Sequence, residues 1–371
     1  MGPWEQAFAA LVNAIRKAAT PPPVTEGKPK MAWRGRPLTG PVETGYWGVG
    51  ATDLGICREI TPGGEILTVF GDTFSGGRVG EGDWRSPCGL IGTKGPDGHP
   101  VYNRAASPDP NYARQFWAYP HNNPTFSTVL PSDVVRLPDG ALILHAMVVK
   151  GLGNTAWTEL RKSTDGGKTW PHLGIDFKAS DDGGHRIMWT MELGDDGYVY
   201  IMSTGWRDRG IIMYRVRWDR MAFHDSYEAW AWNSTQGWHW RAGGTLGASV
   251  ILPGQWGEIN LRKVSGKWVL TGFNAGTGRI EARVFDKPWS NLHTAPVTVI
   301  ARNGPWEMDG RGDVCSQPYG GYVVPGSTLD TPDGFKVVVS QWNTGNSAAG
   351  LAGWPYRCLA YHATVSSRTT S

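Results

Sequence analysis

Five segments of the 371-residue chain share one local grammar. Each has a glycine-bearing turn, then a β-rich run, then small or polar residues. They read TPGGEILTVFGDTF, LPDGALILHAMVV, LGDDGYVYIMSTGW, KVSGKWVLTGFNAG and TPDGFKVVVSQWNTG, with turn glycines Gly64, Gly140, Gly197, Gly266 and Gly334. The turns are separated by 76, 57, 69 and 68 residues. Each is preceded by a second strand-like run: ATDLGICREI, SDVVRL, IMWTMEL, GEINLRKV and GGYVVPGSTL. Alternation of period two on both sides of an Asp-Gly or Gly-containing turn describes a hairpin. Five hairpin units of 57 to 76 residues predict an all-β fold, a five-bladed β-propeller with about four strands per blade. The C-terminal YRCLAYHATV alternates as well and is expected to close the ring with N-terminal residues.

Composition agrees with this class. Glycine numbers 51 and tryptophan 20, while charged residues are only 19%. That combination suits a turn-rich β protein with many aromatic platforms and excludes a coiled coil or a disordered chain. The net charge of +3 is concentrated at the start: six Lys and Arg against two Glu in residues 1–40 give +4, leaving −1 for the rest. No nucleic-acid footprint follows. No apolar run is long enough for a membrane-spanning helix. In residues 1–30 Phe8, Leu11, Val12 and Ile15 fall on one face of an amphipathic helix, which TPPPVTEGKPK ends as a linker. Arg16 and Lys17 follow the apolar stretch, the wrong order for a signal peptide. Residues 31–371 are expected to form one propeller domain, active as a monomer. Cys57, Cys88, Cys315 and Cys358 show no metal-binding spacing, so no metal or cofactor is expected; two disulfides in three possible connectivities, or free thiols, remain open.

STDGGKTW, Ser163 to Trp170, fits the Asp-box pattern Ser-x-Asp-x-Gly-x-Thr-Trp at every fixed position and resembles the turns of sialidases and other propellers. Physically it is a hairpin turn. Asp165 is placed to accept from nearby backbone N–H groups, Gly167 permits positive φ, and Trp170 packs on the sheet. It marks a fold and is not counted among site residues.

In a propeller the innermost strands converge on the axis, and a ligand binds at one mouth. The strand before each turn is read as innermost. Those strands offer Asp53, Asp133, Glu192, Glu258, and Gln317 with Tyr319. Asp53 lies 11 residues before Gly64 and Asp72 eight after it, so the first hairpin brings both to one rim. Two carboxylates at one cleft are the minimum for glycoside hydrolysis, one protonated and one ionised. The competing reading is turn capping in TDLG and GDTF. No GxSxG, HExxH or Walker loop supplies another chemistry.

GATDLGICRE followed by ILTVFGDTFSG, with the later GGYVVPGSTLDTPDGFKVVVSQWNT, resembles an actinobacterial and mycobacteriophage family of endo-D-arabinanases built on a five-bladed propeller, over about residues 40 to 365. The resemblance implies catalysis by Asp53 and Asp72. It also implies a substrate outside the cytoplasmic membrane, the α-linked D-arabinofuranose chains of mycobacterial arabinogalactan and lipoarabinomannan. Beyond that pair, His121, Asn122 and Asn123 are candidates for binding sugar hydroxyls, although loop asparagines also serve turns. Trp189 and Trp206 are candidates for stacking on sugar rings. Glu258, Arg262, Gln317 and Tyr319 are candidate axial partners, Glu258 and Arg262 alternatively a salt bridge. A sialidase would need the Phe-Arg-Ile-Pro signature and usually several Asp boxes, where this chain has one box and no such signature. A non-catalytic glycan-binding propeller, such as an adhesin or phage tail component, would share the tryptophan richness.

Overall fold

A computed structural model describes residues 35–62, 64–244, 247–345 and 353–367. The amphipathic helix and linker expected in residues 1–30 lie outside this range. The described chain forms strands and short 3-10 turns.

The first strand, β1 (Arg36–Pro37), stands apart from its sequence neighbours. Blade 1 contains β2 (Ala51–Glu59), β3 (Glu65–Phe74), β4 (Trp84–Arg85), β5 (Cys88–Lys94) and β6 (Pro100–Ala105). Blade 2 contains β7 (Thr128–Arg136), β8 (Leu142–Val149), β9 (Thr155–Ser163) and β10 (His172–Lys178). Blade 3 contains β11 (Met188–Leu193), β12 (Tyr198–Thr204), β13 (Arg209–Arg217), β14 (Glu228–Asn233) and β15 (Gly237–Arg241). Blade 4 contains β16 (Leu252–Val264), β17 (Lys267–Asn274), β18 (Arg279–Phe285) and β19 (Val297–Arg302). Blade 5 contains β20 (Pro318–Val323), β21 (Phe335–Trp342) and β22 (Tyr356–Ala363). Its outermost strand is β1, paired Arg36↔Ala360 and Pro37↔Leu359. The C-terminal strand and an N-terminal segment thus close the ring, as expected.

The five hairpins are β2–β3, β7–β8, β11–β12, β16–β17 and β20–β21, all antiparallel. Their first strands are innermost and pack in a closed circuit, each against the next blade's. The turn chemistry explains the hairpins. Ser265 and Gly266 both adopt positive φ, 50° and 76°, which matches the right-handed strand twist of a two-residue turn. In blade 5 the left-handed residues of the connection are Gly326, Asp330 and Asp333 (φ 82°, 58° and 52°), so Gly334 does not serve there as the conformational hinge.

Apolar side chains fill the spaces between blades. Phe70, Val338, Leu359 and Val134 belong to one large cluster joining blades 5, 1 and 2. Ile143, Ile201 and Tyr214 belong to a second between blades 2 and 3, and Met202, Leu261 and Leu270 to a third between blades 3 and 4. The Ser163–Trp170 turn contributes to the first. Asp165 Oδ1 accepts from the N–H groups of Lys168 and Thr169 and from Ser163 Oγ, and Trp170, 2% exposed, stacks on Phe116 at 5.3 Å. Cys57, Cys88, Cys315 and Cys358 are all buried free thiols, so the disulfide alternative does not hold.

One end of the axis is plugged by ion pairs. Arg262 forks onto both oxygens of Asp133 at 2.6 and 2.8 Å, and Asp133 also accepts from Thr190 Oγ1 and the N–H of Met191. Arg58 Nη1 reaches Glu192 at 2.7 Å. These side chains tie the inner strands of blades 1 to 4 together. They also withdraw Asp133, Glu192 and Arg262 from any ligand.

Candidate active site

At the opposite end the axis opens into a cleft. Asp53, Asp72, Trp206, Arg207, Glu258 and Tyr319 line it, with Tyr356 beneath Asp53. Asp53 enters from the start of β2 and Asp72 from the end of β3. The hairpin therefore brings the two aspartates together, but not by simple facing. Thr52 pairs with Thr73, Leu54 with Phe70, and Ile56 with Val69, so the ladder slips twice within four residues of β2. Leu54 and Gly55 have φ of 64° and 85°. A left-handed leucine is strained, and Ser340 Oγ holds its carbonyl at 2.9 Å. Such a bulge re-aims side chains at the rim of a sheet. This is the local meaning of the Asp-Leu-Gly triplet.

Gly71 supplies the remaining room. A Cβ there would sit 2.4 Å from Asp53 Oδ1. The clearance is for the carboxyl group of Asp53 itself, so this glycine acts one layer behind the rim where a ligand would approach.

The two carboxyl groups have different surroundings. Asp53 is 8% exposed. Tyr319 donates from its phenol to Oδ2 at 3.0 Å, while Oδ1 is buried with no hydrogen-bond partner among the described residues. Burial first, and then the charge of Asp72, push its pKa from 3.8 up to about 8; the phenols of Tyr356 and Tyr319 oppose this. Asp72 is less enclosed. Trp84 Nε1 donates to its Oδ1 at 2.8 Å and Thr128 Oγ1 at 3.2 Å. Burial raises its pKa to about 6 against these two donors, which favour the ionised form.

Glu258 and Tyr319 are joined through a residue that sequence reasoning missed. Arg207 forks onto both oxygens of Glu258, with Nε at 3.1 Å from Oε2, and its guanidinium lies 5.0 Å above the Tyr319 ring. Asp53, Tyr319, Arg207 and Glu258 thus form a continuous polar wall. The signal was adjacent to a named candidate, since Arg207 follows Trp206 in STGWRD. Trp84 and Tyr356 were also missed. Tyr356 lies far in sequence from Asp53, Trp84 follows Asp72 by 12 residues, and no local pattern distinguishes either from core aromatics.

Of the other candidates, Trp206 lines the cleft and the rest fall outside it or behind it. Trp189 reaches the cleft wall but is 1% exposed and stacked on His145 at 4.3 Å, so it has no open face for a sugar. Trp206 is partly exposed and retains one. His121 stacks on Trp84 at 3.8 Å and bonds Gln115 through Nε2 at 2.9 Å. It braces the indole that serves Asp72, and burial holds its pKa down at about 4. Asn122 is a turn residue at φ 52°, its N–H bonded to Ser127. Asn123 Oδ1 caps the N–H groups of Thr125 and Phe126. Gln317 Oε1 accepts from the N–H and Oγ1 of Thr344, which stitches a blade 5 loop. Short polar side chains in loops satisfy local backbone before they meet a ligand.

Residues 39–362 match the family model described as domain of unknown function DUF4185. The chain belongs to the DUF4185 family. Among similar proteins, the uncharacterized 35.9 kDa protein in the asd 3′ region of Mycolicibacterium smegmatis is 33% identical over 337 residues, covering 86% of this chain and 93% of that protein. The notoamide biosynthesis cluster protein J′ of Aspergillus versicolor is 31% identical over 325 residues, covering 82% of this chain and 84% of that protein. Two crystal structures share the fold of this DUF4185 member at low identity. A candidate hydrolase of Bacteroides ovatus is 15% identical with a TM-score of 0.59, covering 86% of this chain and 87% of that one. The exo-β-1,3-galactanase of Phanerochaete chrysosporium, solved with galactose, is 10% identical with a TM-score of 0.52, covering 83% of this chain and 59% of that one.

Proposed function

We propose that this protein is a glycoside hydrolase in which Asp53 and Asp72 perform the chemistry. One observation carries the reading: two enclosed aspartates at the open end of the axis have proton affinities on either side of neutral pH. Asp53, with a pKa of about 8, holds its proton at pH 7. Asp53 is held in place by the Tyr319 phenol, which donates to Oδ2. It serves as the general acid. Asp72, with a pKa of about 6, is mostly ionised at pH 7 and serves as nucleophile or as base for water. The glycosidic C–O bond breaks, the leaving oxygen takes the proton from Asp53, and water supplies hydroxyl to the anomeric carbon and a proton back to the pair. Glu258 has both oxygens occupied by Arg207, so it shapes the cleft and does not donate a proton.

The substrate in this reading is D-arabinan, α-linked D-arabinofuranose, cut internally. The Asp-Leu-Gly and Gly-Asp-Thr-Phe resemblance supports it, as does a DUF4185 relative in Mycolicibacterium smegmatis. Such a polymer lies outside the cytoplasmic membrane, where the protein would act. The test is incubation with purified mycobacterial arabinan, with wild type beside Asp53→Asn and Asp72→Asn. New reducing ends from wild type and near-complete loss in both variants are expected. Undiminished release by either variant would overturn the site, and retention on arabinan without cleavage would make the protein a lectin.

A further inference from the structure

Blade 3 carries a feature that the cleft does not use. After β13 the chain adds a two-stranded ribbon, β14–β15, with the sequence EAWAWNSTQGWHWR. It pairs with β13 only at Tyr214↔Ala229 and Arg215↔Glu228. Beyond that the segment at Ser249 wedges alongside, its N–H on the Trp230 carbonyl and its Oγ accepting from the Trp232 N–H. The ribbon therefore splays away from the blade.

Four of its residues are tryptophan. Trp230 faces Trp240 and Trp232 faces Trp238, so strand alternation puts all four on one side. The inner pair is anchored: Trp230 and Trp240 lie 4.8 Å apart and pack on the blade 3–4 core. The outer pair is more exposed, Trp232 55% and Trp238 45%, with Trp238 stacked on Trp230 at 5.9 Å. That stacking uses one face of Trp238 and leaves about half of each outer indole open. The ribbon's other side opens on a shallow depression of about 560 Å³, bordered by Trp232, Asn233, Gln236, His239 and Arg241. Flat, half-exposed indole faces match the C–H faces of a sugar chain, and the polar depression lies across the ribbon from them.

The ribbon's position completes the argument. Trp206 and Arg207, which line the cleft, directly precede β13. β13 runs away from the cleft mouth and β14 runs back toward it, so the Asn233–Gly237 tip stands at the mouth's level. From β11 outward across β12, β13 and the Ser249 segment to β14 are four strand spacings, roughly 20 Å. We propose that the Trp232–Trp238 edge is a second glycan-binding site, holding a distal stretch of the polysaccharide whose nearer part occupies the cleft. This rests on the glycan-cleaving reading above, and its test is separable from it.

The experiment is gel electrophoresis through embedded mycobacterial arabinan, using the full chain in the Asp53→Asn background so that nothing is cut. Trp232→Ala, Trp238→Ala and Trp232→Phe are compared, with melting temperatures measured for each. Retardation of the parent, weakened roughly three- to tenfold by either alanine and largely kept by phenylalanine, is expected for a stacking platform. Retardation unchanged in both alanine variants, or absent in the parent, overturns the proposal. Cleavage of the same arabinan by wild type is scored separately, so failure of the catalytic reading is distinguishable from failure of the ribbon.

Discussion

Replacing Asp53 by Asn should make the protein more stable at alkaline pH while removing its activity. The folded-state pKa is raised, from 3.8 to about 8. Below pH 3.8 the carboxyl group is protonated whether the chain is folded or unfolded, and its burial carries no ionisation penalty. As pH rises from about 4 to 8, the unfolded chain releases a proton that the folded one retains. Stability falls by about 1.36 kcal/mol per pH unit across that window. Above pH 8 the loss levels off at about 5 to 6 kcal/mol, four units' worth. Asparagine is neutral throughout and avoids it. Its amide keeps an oxygen for Tyr319 but turns an NH2 toward the partnerless side, costing about 1 to 3 kcal/mol. The net gain is about 3 kcal/mol at pH 8. With about 2.1 cal/mol/K per residue of unfolding entropy, that is a rise in Tm of about 4 °C. Thermal melts of both proteins from pH 4 to 9 check it. The Tm difference should grow with pH and flatten above 8. A difference that is independent of pH, or that shrinks as pH rises, refutes the assignment of a neutral buried acid and the mechanism built on it.

The same pair predicts a bell-shaped pH dependence of hydrolysis with limbs near 6 and 8, belonging to the coupled pair. Trp84→Phe removes a donor that favours ionised Asp72, so the acid limb should move to higher pH. Gly71→Ala puts a methyl group 2.4 Å from Asp53 Oδ1. Displacing that carboxyl group should lower kcat about 100-fold while the melting temperature stays within a few degrees. Asp133→Ala leaves the buried Arg262 guanidinium without its counter-charge, and denaturant titration should show a loss of about 3 to 5 kcal/mol. Asp165→Ala, far from the cleft, should cost about 1 to 2 kcal/mol and leave turnover unaltered.

In the proposed reading a glycan enters at one end of the ring, and the reason is the pairing of charges along the axis. Asp133, Glu192, Arg58 and Arg262 neutralise one another at the closed end. Among the described residues, the axial acids Asp53 and Asp72 have no cationic partner, and enclosure without a counter-charge is what raises a carboxyl pKa. The pair proposed to be catalytic is thereby separated from a structural plug built of the same residue types.

The ring, the five hairpins and the closing strand were legible in the chain because they are local. Alternation of period two and turn residues such as Ser265–Gly266 specify a hairpin whatever surrounds it, and five hairpins at similar spacing have few ways to bury their faces. The proximity of Asp53 and Asp72 followed from the same local geometry. What each polar side chain does was decided by contacts across 50 to 270 residues of sequence, as in Arg207 with Glu258 or Tyr319 with Asp53. Asn123 looks like a ligand-binding residue in a string of letters, and only the fold shows that its amide already caps the local backbone. Arg262 and Glu258 sit four residues apart on one inner strand, yet one is locked in the plug and the other lines the cleft. Hydrogen-bonding capacity is a property of the residue; whether that capacity is spent on the protein or left for a ligand is a property of the packed ring.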